Sequence, residues 1–167
     1  MATIDRRNLL LGGTALAALA AFAVFRPTGA TRAAEGDFPF KLTEEEWRAR
    51  LSPEAYYLLR EEGTERPFSS PLLDEHREGI FACAGCDQPL FVSATKFDSG
   101  TGWPSFYDFI PGALGTREDN SFGMVRTSLH CSNCGGHQGH VFEDGPPPTG
   151  LRYCIDGLAL KFIPKTA

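Results

Sequence analysis

Four of the five cysteines in this chain fall into two C-x-x-C pairs, Cys83/Cys86 in CAGC and Cys131/Cys134 in CSNC, while Cys154 stands apart in LRYCIDG. Two such pairs offer four soft thiolates, each pair able to wrap one side of a tetrahedral ion, which suits zinc or iron far better than calcium or magnesium. The division predicts one metal site and one thiol left for chemistry. Because 44 residues separate Cys86 from Cys131, the two knuckles are expected on separate hairpins joined by the ion, which closes a long loop and ties metal binding to folding. A closed, four-sulfur structural zinc is the expected cofactor. A redox-active C-x-x-C and a pair of structural disulfides compete with it, as does iron, which spacing alone does not exclude. A thioredoxin-like motif would open a helix after a strand, whereas Pro89-Leu90-Phe91 and Gly135-Gly136 follow the pairs here and suit knuckle turns.

In Arg152-Tyr153-Cys154-Ile155-Asp156 a strand period of two places Arg152, Cys154 and Asp156 on one face. A guanidinium beside the thiol favours thiolate and a carboxylate opposes it; the bland alternative is a small buried apolar cysteine. The segment GGHQGHVF brings two imidazoles, His137 and His140, close to the second knuckle. Imidazole is the natural proton donor near neutral pH; the alternatives are satisfied polar groups or metal ligands, the latter discounted because four cysteines already fill the ion. In GTGWPSF, Trp103 followed by Pro104 makes a rigid apolar wall, fit for a small methyl group or simply for packing.

The elements that must hold these groups are legible in outline. Thr43 with Glu46 forms a capping box ahead of Trp47, and Ser52-Pro53 opens a second helix over Ala55 to Glu62 that Gly63 should stop. Beyond them come short apolar or alternating runs separated by Gly, Pro, Asn and Asp: 79–82, 89–93, 105–109, 123–130, 139–143 and 151–163. These are strand signals at hairpin spacing. The expected fold class is mainly β with a small α part: two antiparallel sheets clipped by a structural zinc, with short N-terminal helices. Glu118, Asp119, Asn120 and Ser121 are polar enough to read as a loop near the site.

The first 34 residues read differently. Asp5-Arg6-Arg7 precedes an uncharged Leu/Ala/Gly-rich stretch from Leu9 to Phe25, and Thr31-Arg32-Ala33 offers a cleavage site. This has the form of an export signal, the adjacent arginines pointing to the twin-arginine route and a periplasmic destination; an uncleaved membrane anchor is the alternative. Residues 35–40 read as a linker and 41–167 as one domain. Removing the leader takes four of 16 basic and one of 21 acidic residues, leaving a domain near −8. Such a balance excludes nucleic acid as a partner, since that needs clustered Lys and Arg. A monomer is expected. Twin-arginine export carries folded proteins, so a metal loaded beforehand would shield the four thiolates from an oxidising compartment.

Taken together, LSPEAYYLLREEGTERPFSSPLLDEHREGIFACAGCDQPLF, TKFDSGTGWPSF and HCSNCGGHQGHVFEDGPPPTGLRYCIDGLALKF resemble the methionine-R-sulfoxide reductase B family over nearly the whole domain, about 41–164. The resemblance implies two antiparallel sheets, a zinc on Cys83, Cys86, Cys131 and Cys134, and a thiol that reduces the R epimer of methionine sulfoxide in oxidised proteins, free methionine sulfoxide less well. Carried over by position, Cys154 is the nucleophile, His137 and His140 bind and protonate the sulfoxide oxygen, and Arg152 supports the thiolate. Trp103 receives the sulfur-bound methyl, and Phe106 and Asp156 complete the substrate site.

Two departures from the family pattern bear on the chemistry. Many members carry a resolving cysteine where this chain has Thr101, and the remaining sulfurs belong to the metal site; the resemblance therefore implies a sulfenic acid on Cys154 that an outside thiol, thioredoxin-like or small, must resolve. Asp156 stands where the family usually has Asn. An ionised carboxylate cannot donate a hydrogen bond to a thiolate, so either Cys154 has a raised pKa or Asp156 is turned away. A non-catalytic zinc-clipped binding module is the competing function, and the joint presence of Cys154, both histidines, Arg152 and Trp103 speaks against it.

Overall fold

The computed structural model describes residues 36–166, so the leader and the first linker residue lie outside the described part. Two helices precede the sheets: α1 (Glu44–Arg50) and α2 (Pro53–Glu61). The capping box forms as expected, Thr43 Oγ accepting from the Glu46 N–H and the Glu46 carboxylate accepting from the Thr43 N–H at 2.8 Å. Ser52 caps α2 with Pro53 in its first turn. The left-handed residue that ends α2 is Glu62, at φ 55, rather than Gly63. The apolar stripe of α2, with Leu58 and Leu59 fully buried, packs onto the sheets below.

The nine strands are β1 (Gly79–Cys83), β2 (Pro89–Val92), β3 (Lys96–Phe97), β4 (Ser105–Phe106), β5 (Leu114–Asp119), β6 (Arg126–Cys131), β7 (His137–Phe142), β8 (Arg152–Ile155) and β9 (Leu160–Pro164). They form two antiparallel sheets: a small one in the order β2-β1-β9 and a large one in the order β3-β4-β8-β7-β6-β5. The expected fold class holds. Two expectations are corrected. Glu118 and Asp119 end strand β5, paired with Thr127 and Arg126, instead of lying in a loop. The run 151–163 is two strands in different sheets, broken by a short 3-10 turn at Gly157–Ala159. The break has a physical partner, because the Glu65 carboxylate accepts hydrogen bonds from the amides of Gly157 at 2.5 Å and Leu158 at 3.3 Å.

The core is aromatic. Phe91 and Phe106 stack 4.2 Å apart, and Phe81 meets Phe106 edge-on at 5.0 Å. Tyr153 and Ile155 of β8 face this core, so the strand period turns Cys154 the other way.

β7 and β8 can approach only because Gly139 lies between them. Its φ is 143, and a Cβ there would drive into the carbonyl of Cys154. Gly139→Ala should therefore spread the two strands, lowering the thermal midpoint by several degrees and abolishing turnover together. A variant as stable and active as the parent, by calorimetry and assay, would refute this reading of the pairing.

Candidate active site

The register across the large sheet assembles the site. Cys154 is directly opposite Ser105 on β4 and His140 on β7; His140 is in turn opposite Ser128 on β6. Residues directly opposite on neighbouring strands share a face. One row of the sheet thus reads Ser105, Cys154, His140, Ser128, and the middle pair opens onto a cleft also lined by Thr64, Trp103, Arg126, Phe142 and Asp156. The structure brings together four residues singled out in the sequence: Trp103, His140, Cys154 and Asp156.

The other expected site residues lie around this cleft in different ways. Arg152, two residues before Cys154 on β8, is buried, its guanidinium 4.5 Å above the Phe142 ring and bonded to Asp144 by two contacts at 2.8 and 2.9 Å. His137 is only 3% exposed and sits behind His140, the two rings edge to face at 5.4 Å. Its Nδ1 is 3.2 Å from the Ser128 hydroxyl. Phe106 is corrected: it is 0% exposed within the aromatic core. The reason is strand parity, since Ser105 shares the face of Cys154 and its neighbour must point away.

Several partners were not visible in the sequence. The Asp119 carboxylate accepts from His140 Nε2 at 2.8 Å and from Arg126 at 2.6 Å. Burial pushes Asp119 up, but hydrogen bonds from the hydroxyl and amide of Ser121 and from His140, together with the Arg126 charge, hold it below the usual carboxylate range. An ionised carboxylate only accepts. Nε2 of His140 therefore carries its proton, and Nδ1 is the nitrogen left for the cleft. A hydroxyl chain, Thr101 to Ser99 to Ser105 with both links at 2.8 Å, runs under Cys154. Glu65 fixes the wall on the other side: its carbonyl accepts from the Trp103 indole at 3.3 Å and its N–H donates to Asp156 at 3.0 Å.

The electrostatics are opposed. Burial pushes the Cys154 thiol up, the Arg152 cation and the Thr101 hydroxyl pull it down, and Asp156 pushes it up again. Burial lowers both histidines, His137 to about 3 with the nearby His140 adding to it, while the hydrogen bond to Asp119 opposes the shift at His140. His137 is thus neutral, and His140 is the histidine at the cleft. Asp156 is 4% exposed, and burial pushes its carboxyl up to about 7 against the hydrogen bond from Glu65. The alternatives posed by the sequence are both met in part: Asp156 is turned toward Glu65, and it still bears on Cys154.

The four remaining cysteines converge at the end of α2. Each knuckle closes alike, the Asp87 N–H donating to the Cys83 carbonyl at 3.0 Å and the Gly135 N–H to the Cys131 carbonyl at 2.9 Å. Sγ atoms of Cys83 and Cys134 are 3.8 Å apart, those of Cys86 and Cys131 3.6 Å, and all four lie within 4.8 Å of one another. Four thiolates tetrahedrally placed about an ion at ~2.3 Å would be separated by about 3.8 Å. These residues fit a metal ion, and the separations are far too long for disulfides. Gln138 adds an amide donor 3.5 Å from the Cys83 sulfur.

With a native pKa far above that of the unfolded chain, Asp156 keeps its proton in the fold while the unfolded chain loses it. The Asp156 contribution to stability therefore falls as pH rises from about 4 to 7, opposite in sign to that of His137, whose lowered pKa makes its own contribution grow with pH up to about 6.5. Asp156→Asn should remove the Asp156 contribution, read as a pH-dependent difference from the parent in denaturant titrations, and lower the apparent pKa of Cys154 in alkylation rates against pH. An unchanged alkylation profile would mean that Asp156 does not bear on the thiol.

Comparison with known proteins places this geometry. The SelR domain family matches residues 51–164. Proteins named peptide methionine sulfoxide reductase MsrB are similar across most of both chains. That of Thiobacillus denitrificans is 57% identical over 124 residues, 74% of this chain and 94% of its own. That of Agrobacterium fabrum is 55% identical over 123 residues, covering 73% and 91%, and that of Methanosarcina mazei 56% over 121 residues, covering 72% and 86%. With the cleft cysteine, its strand partner His140 and the four-cysteine cluster all inside the matched span, the chain belongs to the methionine-R-sulfoxide reductase B family.

Proposed function

We propose that this chain is a peptide-methionine (R)-S-oxide reductase in which Cys154 takes the oxygen of the sulfoxide and an outside thiol removes it. The observation that carries the reading is the cross-strand pair of Cys154 and His140 at the floor of a cleft walled by Trp103 and Phe142. The two rings are suited to the methyl and methylene groups around the sulfoxide sulfur, and the nucleophile and the proton source arrive from adjacent strands.

The thiolate of Cys154 attacks the electrophilic sulfur, and as charge gathers on the oxygen, Nδ1 of His140 delivers a proton to it. The ionised Asp119 carboxylate, accepting from Nε2 of His140, stabilises the imidazolium that must exist before that transfer. The sulfur–oxygen bond of the substrate breaks as oxygen passes to Cys154. Methionine leaves, reduced by two electrons, and Cys154 is left as a sulfenic acid. Arg152, bonded to an exposed Asp144, supplies the cation that favours the attacking thiolate. One molecule of an outside thiol then attacks the sulfenic sulfur and releases water, and a second displaces Cys154 from the mixed disulfide. Thr101 reaches Cys154 with a hydroxyl and so has no sulfur to form an internal bridge.

The ion at Cys83, Cys86, Cys131 and Cys134 is proposed to be zinc. Four sulfur ligands leave no open position, so its role is to hold the end of β1 and the end of β6, which lie in different sheets, in one place. Export by the leader at 1–34 is proposed from its twin arginines and apolar stretch.

Purified protein with dithiothreitol should reduce the R epimer of a methionine-sulfoxide peptide and leave the S epimer untouched, and Cys154→Ser should bring turnover to background. His140→Ala should cost about 10² to 10⁴ in kcat. A folded, metal-loaded sample that turns over neither epimer would overturn the reading. One equivalent of substrate without reductant should give a sulfenic acid trappable by dimedone, whereas Thr101→Cys should instead give a disulfide to Cys154. Elemental analysis should find one zinc per chain, and its chelation should lower the thermal midpoint sharply; metal-free protein of equal stability would remove the ion from the account.

A further inference from the structure

Phe68 is an aromatic residue that the fold displays without using. It is 71% exposed and its φ is 61, a left-handed conformation rare for a bulky side chain. That conformation is held by its own N–H, which donates to the Gly102 carbonyl at 2.7 Å. A glycine or asparagine would make the same backbone bond with less strain, so the ring itself has no role in the turn. An observed backbone outlier of this kind is grounds for asking what function it serves.

Its position answers. Gly102, at φ 90, lets the Phe68 segment approach so closely that a Cβ there would come within 2.8 Å of the Phe68 nitrogen and 2.9 Å of the ring. Thr101, which reaches Cys154, and Trp103, which walls the cleft, flank that glycine. The same segment contributes Thr64 to the cleft and Glu65 to the anchoring of Trp103. Val125, 78% exposed, immediately precedes Arg126, another cleft residue. Neither rim residue is charged, and both are apolar.

Resting on the reductase reading above, we infer that Phe68 is a specificity-determining residue, which packs against an apolar side chain of the oxidised polypeptide one or two positions from the methionine sulfoxide, with Val125, beside Arg126, also receiving the chain. The occupant is an extended segment of unfolded polypeptide. Continuity with the cleft carries this choice: Phe68 is bonded to Gly102, whose neighbour Trp103 walls the cleft, and successive residues of an extended chain advance about 3.3 Å, so the residues next to a sulfoxide at Cys154 come to the cleft's edge within one or two positions. The exposed Phe68 ring offers contact to an apolar neighbour of the sulfoxide and no charge for an acidic or basic one.

The test compares wild type, Phe68→Ser and Phe68→Leu on three substrates: N-acetyl-methionine-R-sulfoxide, a peptide sulfoxide flanked by Leu and Val, and the same peptide flanked by Ser. For Phe68→Ser we expect KM for the apolar-flanked peptide to rise about tenfold with kcat unchanged, and the two other substrates to stay within about twofold, with Phe68→Leu restoring most of the loss. Equal losses on all three substrates, or none on any, would overturn the inference, the first assigning Phe68 to the support of Gly102 alone. Wild-type protein inactive on all three would overturn the reductase reading itself and is distinct from both.

Discussion

The register of β8 between β4 and β7 is the constraint on which the site depends. It sets Cys154 against His140 on one side and Ser105 on the other, while Tyr153 and Ile155 seal the aromatic core beneath. A slip of one residue would bury the thiol and turn tyrosine and isoleucine into the cleft. The core penalises that slip, because Phe91, Phe106 and Tyr153 would lose contacts that bury whole rings. Packing on one face thereby specifies chemistry on the other.

The four-cysteine cluster acts on the same register from a distance. Its knuckles end β1 of the small sheet and β6 of the large one, and the chain between Gly136 and Gly139 leads straight from the second knuckle into β7, the strand of His140. Gln138, fully buried in this stretch, reaches back to the Cys83 sulfur with its side chain and accepts the Asp156 N–H with its backbone. One residue therefore touches both the four-cysteine cluster and the strand end beyond Cys154. A closed metal site, as proposed for these four sulfurs, would suit this duty, since its ligands would hold fixed directions.

What the sequence disclosed was local, and what it hid was cross-strand. The capping box at Thr43 and the Ser52-Pro53 start depend on residues within one turn and were legible directly. Strand β5 was missed because Leu114–Asp119 is polar along most of its length and shows no clean alternation. Asp119 was consequently read as loop, although its partner His140 lies 21 residues away and only the pairing of β5, β6 and β7 unites them. Phe106 differs: the resemblance puts it in the substrate site, but the face a strand residue takes is decided by its neighbours' register, and here Ser105 shares the face of Cys154. The spacing of the cysteines, by contrast, carried the metal cluster without any knowledge of topology.

The corner between Glu65 and Asp156 shows how the N-terminal part enters the chemistry. Glu65 makes four bonds there: its carbonyl holds Trp103, its N–H serves Asp156, and its two carboxylate oxygens receive Gly157 and Leu158. The cleft wall, the end of β8 and the loop following α2 thus move as one unit. Two carboxyls this close cannot both ionise cheaply. Burial raises both, but Glu65 has two backbone donors to its carboxylate and Asp156 a single one. The negative charge therefore settles on Glu65, and the proton on Asp156, the group nearer the thiol. While Asp156 holds its proton it places no charge beside Cys154, but as it ionises, at about 7, its charge disfavours the thiolate, a penalty that an amide two residues beyond Cys154 would not impose.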